Sequence, residues 1–265
     1  MRNYNKYTIY ISTFGKKVLK VRDGVPIEVG AACREHFLYP LHDDTGQNIS
    51  KENEYYGELS GLYWVWKNTS IADDDIIGFC HYNKVLNITR QKVYSWLKNN
   101  ENGIITLKPC KIRNHPVSDE VQAIISILQE QGQDLYATWN KLYDNEAAAK
   151  GMICRGGNMF ITSGRVFKDY CSWLFDILSK MRVIVGDKPN TDANMRRYCA
   201  FMGERLLSVY IEFHKLPVKD VPIRYKRWWL SYIRPIVKVL RINRNSSIYL
   251  FLKKRFGYNS QYHRT

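Results

Sequence analysis

Short apolar, β-rich runs alternate with longer stretches of helical periodicity through residues 1–214. That alternation restricts the chain to an α/β layered domain with a mainly parallel central sheet. The strand-like runs are 7–12 (YTIYIS), 25–31, 76–79, 103–107 (GIITL) and 158–162 (NMFIT). Residues 25–31 read equally as a loop leading into a strand. Helical spacing of apolar residues covers 55–68, 92–98, 117–131, 135–145, 165–181 and 194–213. Neither an internal repeat nor a low-complexity segment interrupts the pattern. With 45% hydrophobic and 14% aromatic residues, the 265-residue chain has enough apolar surface to bury a core. Its six cysteines are scattered without a CxxC, which predicts buried thiols, not zinc ligands.

Charge divides the chain in two. Residues 1–214 carry a net charge of only +3, whereas residues 215–265 carry 13 Lys+Arg against the single acid Asp220, a net of +12. Pro217 and Pro222 mark the change, so the expected domains are 1–216 and a basic tail, 217–265. Read at helical spacing, residues 224–242 gather Trp228, Trp229, Tyr232, Ile233, Ile236, Val237 and Leu240 on one side. Arg227, Arg234, Lys238 and Arg241 gather on the other. Aromatic and aliphatic residues opposite Lys/Arg describe a helix lying in a membrane interface. Trp228, Trp229, Tyr232, Arg234, Lys238 and Arg241 are therefore the membrane-binding candidates, with Pro235 kinking or splitting the segment. A helix packed on the body and a nucleic-acid arm are the competing readings. No run approaches the roughly 20 apolar residues of a spanning helix, and the first residues lack a signal-like apolar core. The expected location is cytoplasmic, on the inner face of the membrane.

In open α/β sheets, ligands bind at the carboxyl ends of the strands. That rule places Ser12, Thr13 and Phe14 at one strand mouth and Cys80, His81, Tyr82, Asn83 and Lys84 at another. By the same rule 107–109 and 163–164 lie at strand mouths. Asp73, Asp74 and Asp75 resemble a metal-binding DxD, but they precede their strand and read as a solvated turn. Gly156 and Gly157, just before Asn158, allow either a close backbone approach by a substrate or a plain turn. No dinucleotide, P-loop, zincin or hydrolase-elbow motif is present.

Several strings, in order, carry a resemblance: YISTFG (10–15), DDTGQNISKENEYYGELSGLYWVWKN (43–68), DIIGFCHYNKVL (75–86), GGNMFITSGRVFKDYCSWLFDIL (156–178) and RRYCAFMGERLLSVYI (196–211). Together they resemble a family of bacterial capsular and exopolysaccharide glycosyltransferases, some of them galactofuranosyltransferases, across roughly residues 5–214. The resemblance implies a GT-A-like, Rossmann-type nucleotide-sugar domain. It also implies that Asp44, Asn48, Ser50, Asn53, Tyr56 and Glu58 shape the donor pocket, and that His81 and Tyr82 occupy the place of a DxD. Glu204 and Arg205 match a family helix. Asn83–Lys84 stand where the family has two arginines, and Met202 replaces another family residue.

Transfer of a sugar from a nucleotide donor needs a base for the acceptor hydroxyl and positive charge for the departing diphosphate. Glu204, at the opening of an apolar helix, is the candidate base. Lys84, Arg155 and Arg205 are the candidate cations, and Asn158 is an acceptor-side or leaving-group candidate. The resulting expectation is an inverting transferase moving a sugar, galactofuranose among the candidates, from a UDP-sugar to a lipid-linked acceptor at an anionic membrane. It needs no metal or other cofactor. The alternatives are a nucleic-acid-binding protein and an inactive scaffold of a polysaccharide assembly complex.

Overall fold

The computed structural model describes residues 4–112, 119–143, 152–188 and 196–226, together with 247, 248 and 251. In chain order the elements are β1 (Tyr7–Thr13), β2 (Gly24–Glu28), α1 (Leu59–Asn68), β3 (Ile76–His81), β4 (Lys84–Leu86), α2 (Arg90–Lys98) and β5 (Ile104–Leu107). They continue with β6 (Cys110–Ile112), α3 (Asp119–Gln131), α4 (Gln133–Tyr143), β7 (Met152–Cys154), β8 (Phe160–Ser163), α5 (Gly164–Val185), α6 (Tyr198–Phe213), β9 (Val218–Val221) and β10 (Ile223–Tyr225). Most of the expected strands and helices are there. The expected 55–68 helix is broken: a single turn, Asn53–Tyr56, ends at Gly57 (φ +53°) before α1 begins.

Eight strands form one sheet, running β2–β1–β3–β8–β5–β9, with β4 and β10 continuing from β3. Pairings β1–β2, β1–β3 and β5–β9 are parallel; β3–β8, β5–β8, β3–β4 and β4–β10 are antiparallel. The central α/β sheet is thus mixed where a mainly parallel one was expected. The reason lies in the excursion after β5. The ladder of β6 with β7, with Cys110 opposite Cys154, brings the chain back to the edge where β5 ended, so β8 must run the other way.

Both faces of the sheet are covered, and the strand period of two sorts its residues between them. Tyr10, Ile77, Phe79 and Phe160 pack with α1, α3, α4, α5 and α6 in the larger apolar cluster. Ile9, Ile11, Ile76 and Ile161 face a smaller cluster with Val93 and Leu97 of α2. On that side the β1–β2 crossover, residues 14–23, contains no helix; its Val18, Leu19 and Val21 pack against the smaller cluster instead.

The sheet runs past the composition boundary at Leu216. β9 pairs with β5 and β10 with β4, so the first cations of the basic segment sit on the body. Trp228, Trp229, Tyr232, Arg234, Lys238 and Arg241 lie outside the described residues. Among the described residues, no helix is long and apolar enough to cross a membrane.

Candidate functional site

Because β8 is antiparallel to β3, its amino end meets the carboxyl end of β3. Ser163 and Gly164, expected at that edge, lie at the opposite one: Ser163 is paired with Ile76, and Gly164 N–H donates to the Asp75 carbonyl (2.7 Å). The turn at Gly156, Gly157 and Asn158 takes their place. Gly157 (φ +89°) has a conformational reason to be glycine, and a steric one too. A Cβ there would fall 2.9 Å from Lys84 Nζ and 3.6 Å from His81 Nε2. Its amide N–H donates to Glu204 Oε1 (2.6 Å), and its carbonyl accepts from His81 Nε2. One glycine thereby joins the end of β3 to α6 through the two peptide groups that flank its Cα.

A second set of bonds converges on the same turn. Asn158 (φ +46°) donates from Nδ2 to Glu58 Oε1 (2.8 Å) and to the Ala200 carbonyl (3.1 Å). Arg197 Nη2 donates to Glu58 Oε2 (2.9 Å), passing over Gly57, where a Cβ would lie 2.7 Å from that nitrogen. Arg197 has no place among the expected site residues. Its pairing spans 139 positions of sequence, a separation that no local pattern signals.

Electrostatics separates the two carboxylates. Glu204 is buried, and that burial, with the Glu58 charge, raises its pKa; Lys84, Arg205 and the Gly157 N–H only partly offset this. Burial also works to raise Glu58, but interaction with His81, Arg197 and Asn158 outweighs it and holds Glu58 below the usual carboxylate range. Two acids pushed apart in this way are suited to different roles. Burial and the Lys84 charge push His81 down to about 4, so its imidazole is neutral near pH 7. With Nε2–H donated to Gly157, Nδ1 is left as an acceptor. Glu204 lies in the second turn of α6, not at the opening of the helix where the sequence reading placed it.

His81 also yields a pH test. Between pH 6.5 and about 4 the unfolded chain protonates this histidine and the folded one does not, so its contribution to stability is lost as pH falls through that window. His81→Gln is expected to flatten the decline in unfolding free energy between pH 6.5 and 4, measured by urea titration. A curve parallel to wild type would remove His81 as its source.

The remaining candidates divide. Thr13 ends β1 at the same edge, but its hydroxyl donates to the Lys16 carbonyl (2.6 Å) and so closes its own turn. Tyr82 follows β3 in the turn to β4, half-buried. Tyr56 is core. Asn48 donates to the Asp44 and Gly46 carbonyls, while Ser50 and Asn53 brace the loop rather than the turn at Gly157. Within that loop the organising acid is Asp43, not Asp44. Asp43 is fully buried, whereas Asp44 keeps 29% of its side chain exposed. Arg155 donates to the Leu107 carbonyl (2.7 Å) and pairs with Asp220, at the β5–β9 edge. Arg205 is buried, with Nη1 on the Phe201 carbonyl (2.5 Å). The cations on the turn itself are therefore Lys84 and Arg197.

Asp73 pairs with Lys168, Asp74 accepts from Asn5, and Asp75 accepts from the Lys6 and Ala72 amides, all at the amino end of β3. Among the described residues, no cluster of His, Cys, Asp and Glu is arranged to hold a metal ion. Two concavities formed by described residues lie beside the β1–β2 crossover and between α5 and the end of α6. Neither is lined by His81 or Glu204.

Comparison with known proteins adds two findings. The family described as Domain of unknown function (DUF4422) matches residues 8–215. The apo structure of the WbbM bifunctional glycosyltransferase superposes with a TM-score of 0.70 at 24% identity, over 83% of this chain and 45% of that one. This chain thus spans about half the length of that protein, and the likeness establishes a shared fold. No curated protein matches the chain.

Proposed function

The chain belongs to the family described as Domain of unknown function (DUF4422), and from that premise we propose that it is a glycosyltransferase acting at the carboxyl edge of β3. The observation that carries this reading is the joining of Glu204 and His81 through the backbone N–H and carbonyl of Gly157, with Lys84 and Arg197 beside it. A fold shared with a bifunctional glycosyltransferase supports it. In this reading Glu204 takes the proton of an acceptor hydroxyl, whose oxygen attacks the anomeric carbon of a UDP-sugar. The bond to the diphosphate breaks, and Lys84 and Arg197 balance the charge that develops on the leaving oxygens. Attack opposite the leaving group inverts the anomeric centre, and neither step calls for a metal. Galactofuranose is one candidate sugar, and the acceptor is a lipid-linked glycan of a capsule, O-antigen or exopolysaccharide pathway.

A thermal-shift screen of nucleotide sugars, with and without divalent cation, tests this. A UDP-sugar is expected to raise the melting temperature in the presence of EDTA. No shift with any nucleotide sugar, alongside steeply salt-dependent RNA or DNA binding, would favour the nucleic-acid alternative. UDP-sugar binding without transfer or hydrolysis would favour an inactive scaffold.

The basic tail is proposed to hold the enzyme at the inner membrane face. Since β10 belongs to the sheet, the informative truncation begins after Lys226. Removing 227–265 is expected to shift most of the protein from the membrane pellet to the supernatant at physiological salt. A truncated protein that pellets as completely as the full chain would contradict the tether.

A further inference from the structure

We propose that the body of the protein, and not only its tail, docks on an anionic bilayer through the β1–β2 crossover, so that the site opens at headgroup level. This rests on the reading of the acceptor as lipid-linked. The crossover carries Lys16, Lys17, Lys20 and Arg22, all exposed, with no acid between Phe14 and Arg22. Two more exposed cations join them from the end of the sheet. Arg224 Nη2 donates to the Lys20 carbonyl (3.4 Å) and Lys226 Nζ to the Lys17 carbonyl (2.5 Å). Among the described residues none of these six cations is ion-paired. The nearby carboxylates are committed elsewhere, Asp23 to Arg90 and the buried Glu28 to Arg34. Glu35 on the adjoining loop is exposed, and it leaves a strong positive excess.

Positive charge alone would equally suit a soluble polyanion; the apolar groups beside it favour a bilayer. Phe14 and Leu38 are each 52% exposed. The Arg34 guanidinium lies 4.5 Å from the centre of the Phe14 ring. An aromatic and an aliphatic side chain projecting among lysines match the requirements of a headgroup–acyl boundary.

The surface is also stitched to the site. Leu19 N–H donates to the Tyr82 carbonyl and Lys226 N–H to the Asn83 carbonyl, both at 2.8 Å. Tyr82 and Asn83 form the turn between His81 and Lys84, the two side chains that flank Gly157. A bilayer touching the crossover therefore lies alongside the turn that carries the site. The basic, aromatic sequence of the tail also follows directly on Lys226 in the chain.

The test is co-sedimentation of the full chain with vesicles containing about 30% phosphatidylglycerol, against neutral phosphatidylcholine vesicles. A basic residue near an anionic surface contributes about fivefold in affinity, so Lys16→Gln/Lys17→Gln/Lys20→Gln is expected to weaken anionic-vesicle binding roughly 100-fold. Phe14→Ala/Leu38→Ala should weaken it about tenfold. Lys141→Gln/Lys168→Gln/Lys180→Gln removes the same charge from the helical side and should change binding less than about threefold. Equal losses in the two triple variants, or none in the crossover variant, overturn the docking surface while leaving the tail tether standing. A wild-type chain that ignores anionic vesicles overturns both membrane contacts. The donor reading is judged separately, by the nucleotide-sugar shift of each variant, which should match wild type.

Discussion

Glu204→Gln lowers sugar transfer by about a thousandfold or more while nucleotide-sugar affinity stays within a few-fold. The glutamine has the shape of the glutamate, and its Oε1 can still accept the Gly157 N–H, so the turn against His81 is preserved. The substitution removes the lone pair that would take a proton. Burial and the Glu58 charge make this carboxylate more basic than an exposed one, an advantage for a base and a cost to stability. A raised folded-state pKa means that the native state binds more protons than the unfolded one above the ordinary glutamate value. The penalty therefore grows as pH rises from there through the folded pKa. Glu204→Gln should accordingly melt no lower than wild type at pH 7.5, which separates lost chemistry from lost folding. Turnover near that of wild type would take Glu204 out of the mechanism.

Arg197 is the natural counterpart of that experiment, because besides facing the leaving group in the proposed reaction it is the ion-pair partner of Glu58. Removing one member of a partly buried ion pair leaves the other uncompensated. With Glu58 7% exposed and Arg197 open to solvent at its other side, Arg197→Met should shift the Glu58 titration upward, but unfold the protein less than loss of a fully buried pair would. The pair was not legible in the sequence. Glu58 could be singled out within a string that carries a family resemblance, yet nothing adjacent to Arg197 marked it as its partner.

The same distinction runs through the fold. The short apolar, β-rich runs of β1, β3 and β5 and the 3.6-residue spacing of α5 and α6 are written locally and could be read. β4, β9 and β10, of three or four residues each and interrupted by charged side chains, carry no such run, and their pairing depends on distant strands. The direction of β8 is likewise a property of the β6–β7 ladder, about fifty positions of chain away from β5 at its far end. The strand-end rule put His81 at the carboxyl end of β3, where the strand does end, but missed the reversal. It therefore sent Ser163 and Gly164 to the wrong edge and underweighted Gly157, the residue that joins His81 to Glu204. An isolated Gly-Gly pair signals a turn; only the antiparallel strand behind it shows where that turn lies.

Asp43→Ala is expected to destabilise the protein by about 4 kcal/mol or more, whereas Asp44→Ala, one position on, should change stability by less than about 1 kcal/mol. Oδ1 of Asp43 accepts from the Ala31 N–H (3.0 Å) and the Ser50 hydroxyl (2.5 Å). Oδ2 accepts from the Gly30 N–H (2.9 Å) and the Ser60 hydroxyl (2.6 Å). Alanine leaves four donors facing a dry gap, each costing roughly 1–3 kcal/mol before hydroxyls rotate and water enters. Asparagine retains the shape but turns an N–H₂ toward one of the two backbone N–H groups, so Asp43→Asn should fall between alanine and wild type. Asp44 Oδ1, by contrast, accepts no hydrogen bond among the described residues, and its removal forfeits little. For a chain of this size the Asp43→Ala loss corresponds to a melting temperature lower by roughly 10 °C. The consequence reaches the site, because Ser60 lies in the first turn of α1 and Glu58 immediately precedes that helix. Loosening the loop should weaken nucleotide-sugar binding in protein that is still folded at low temperature. If Asp44→Ala melts as low as Asp43→Ala, the loop is not organised around the buried carboxylate, and the placement of Glu58 beside Asn158 needs another cause.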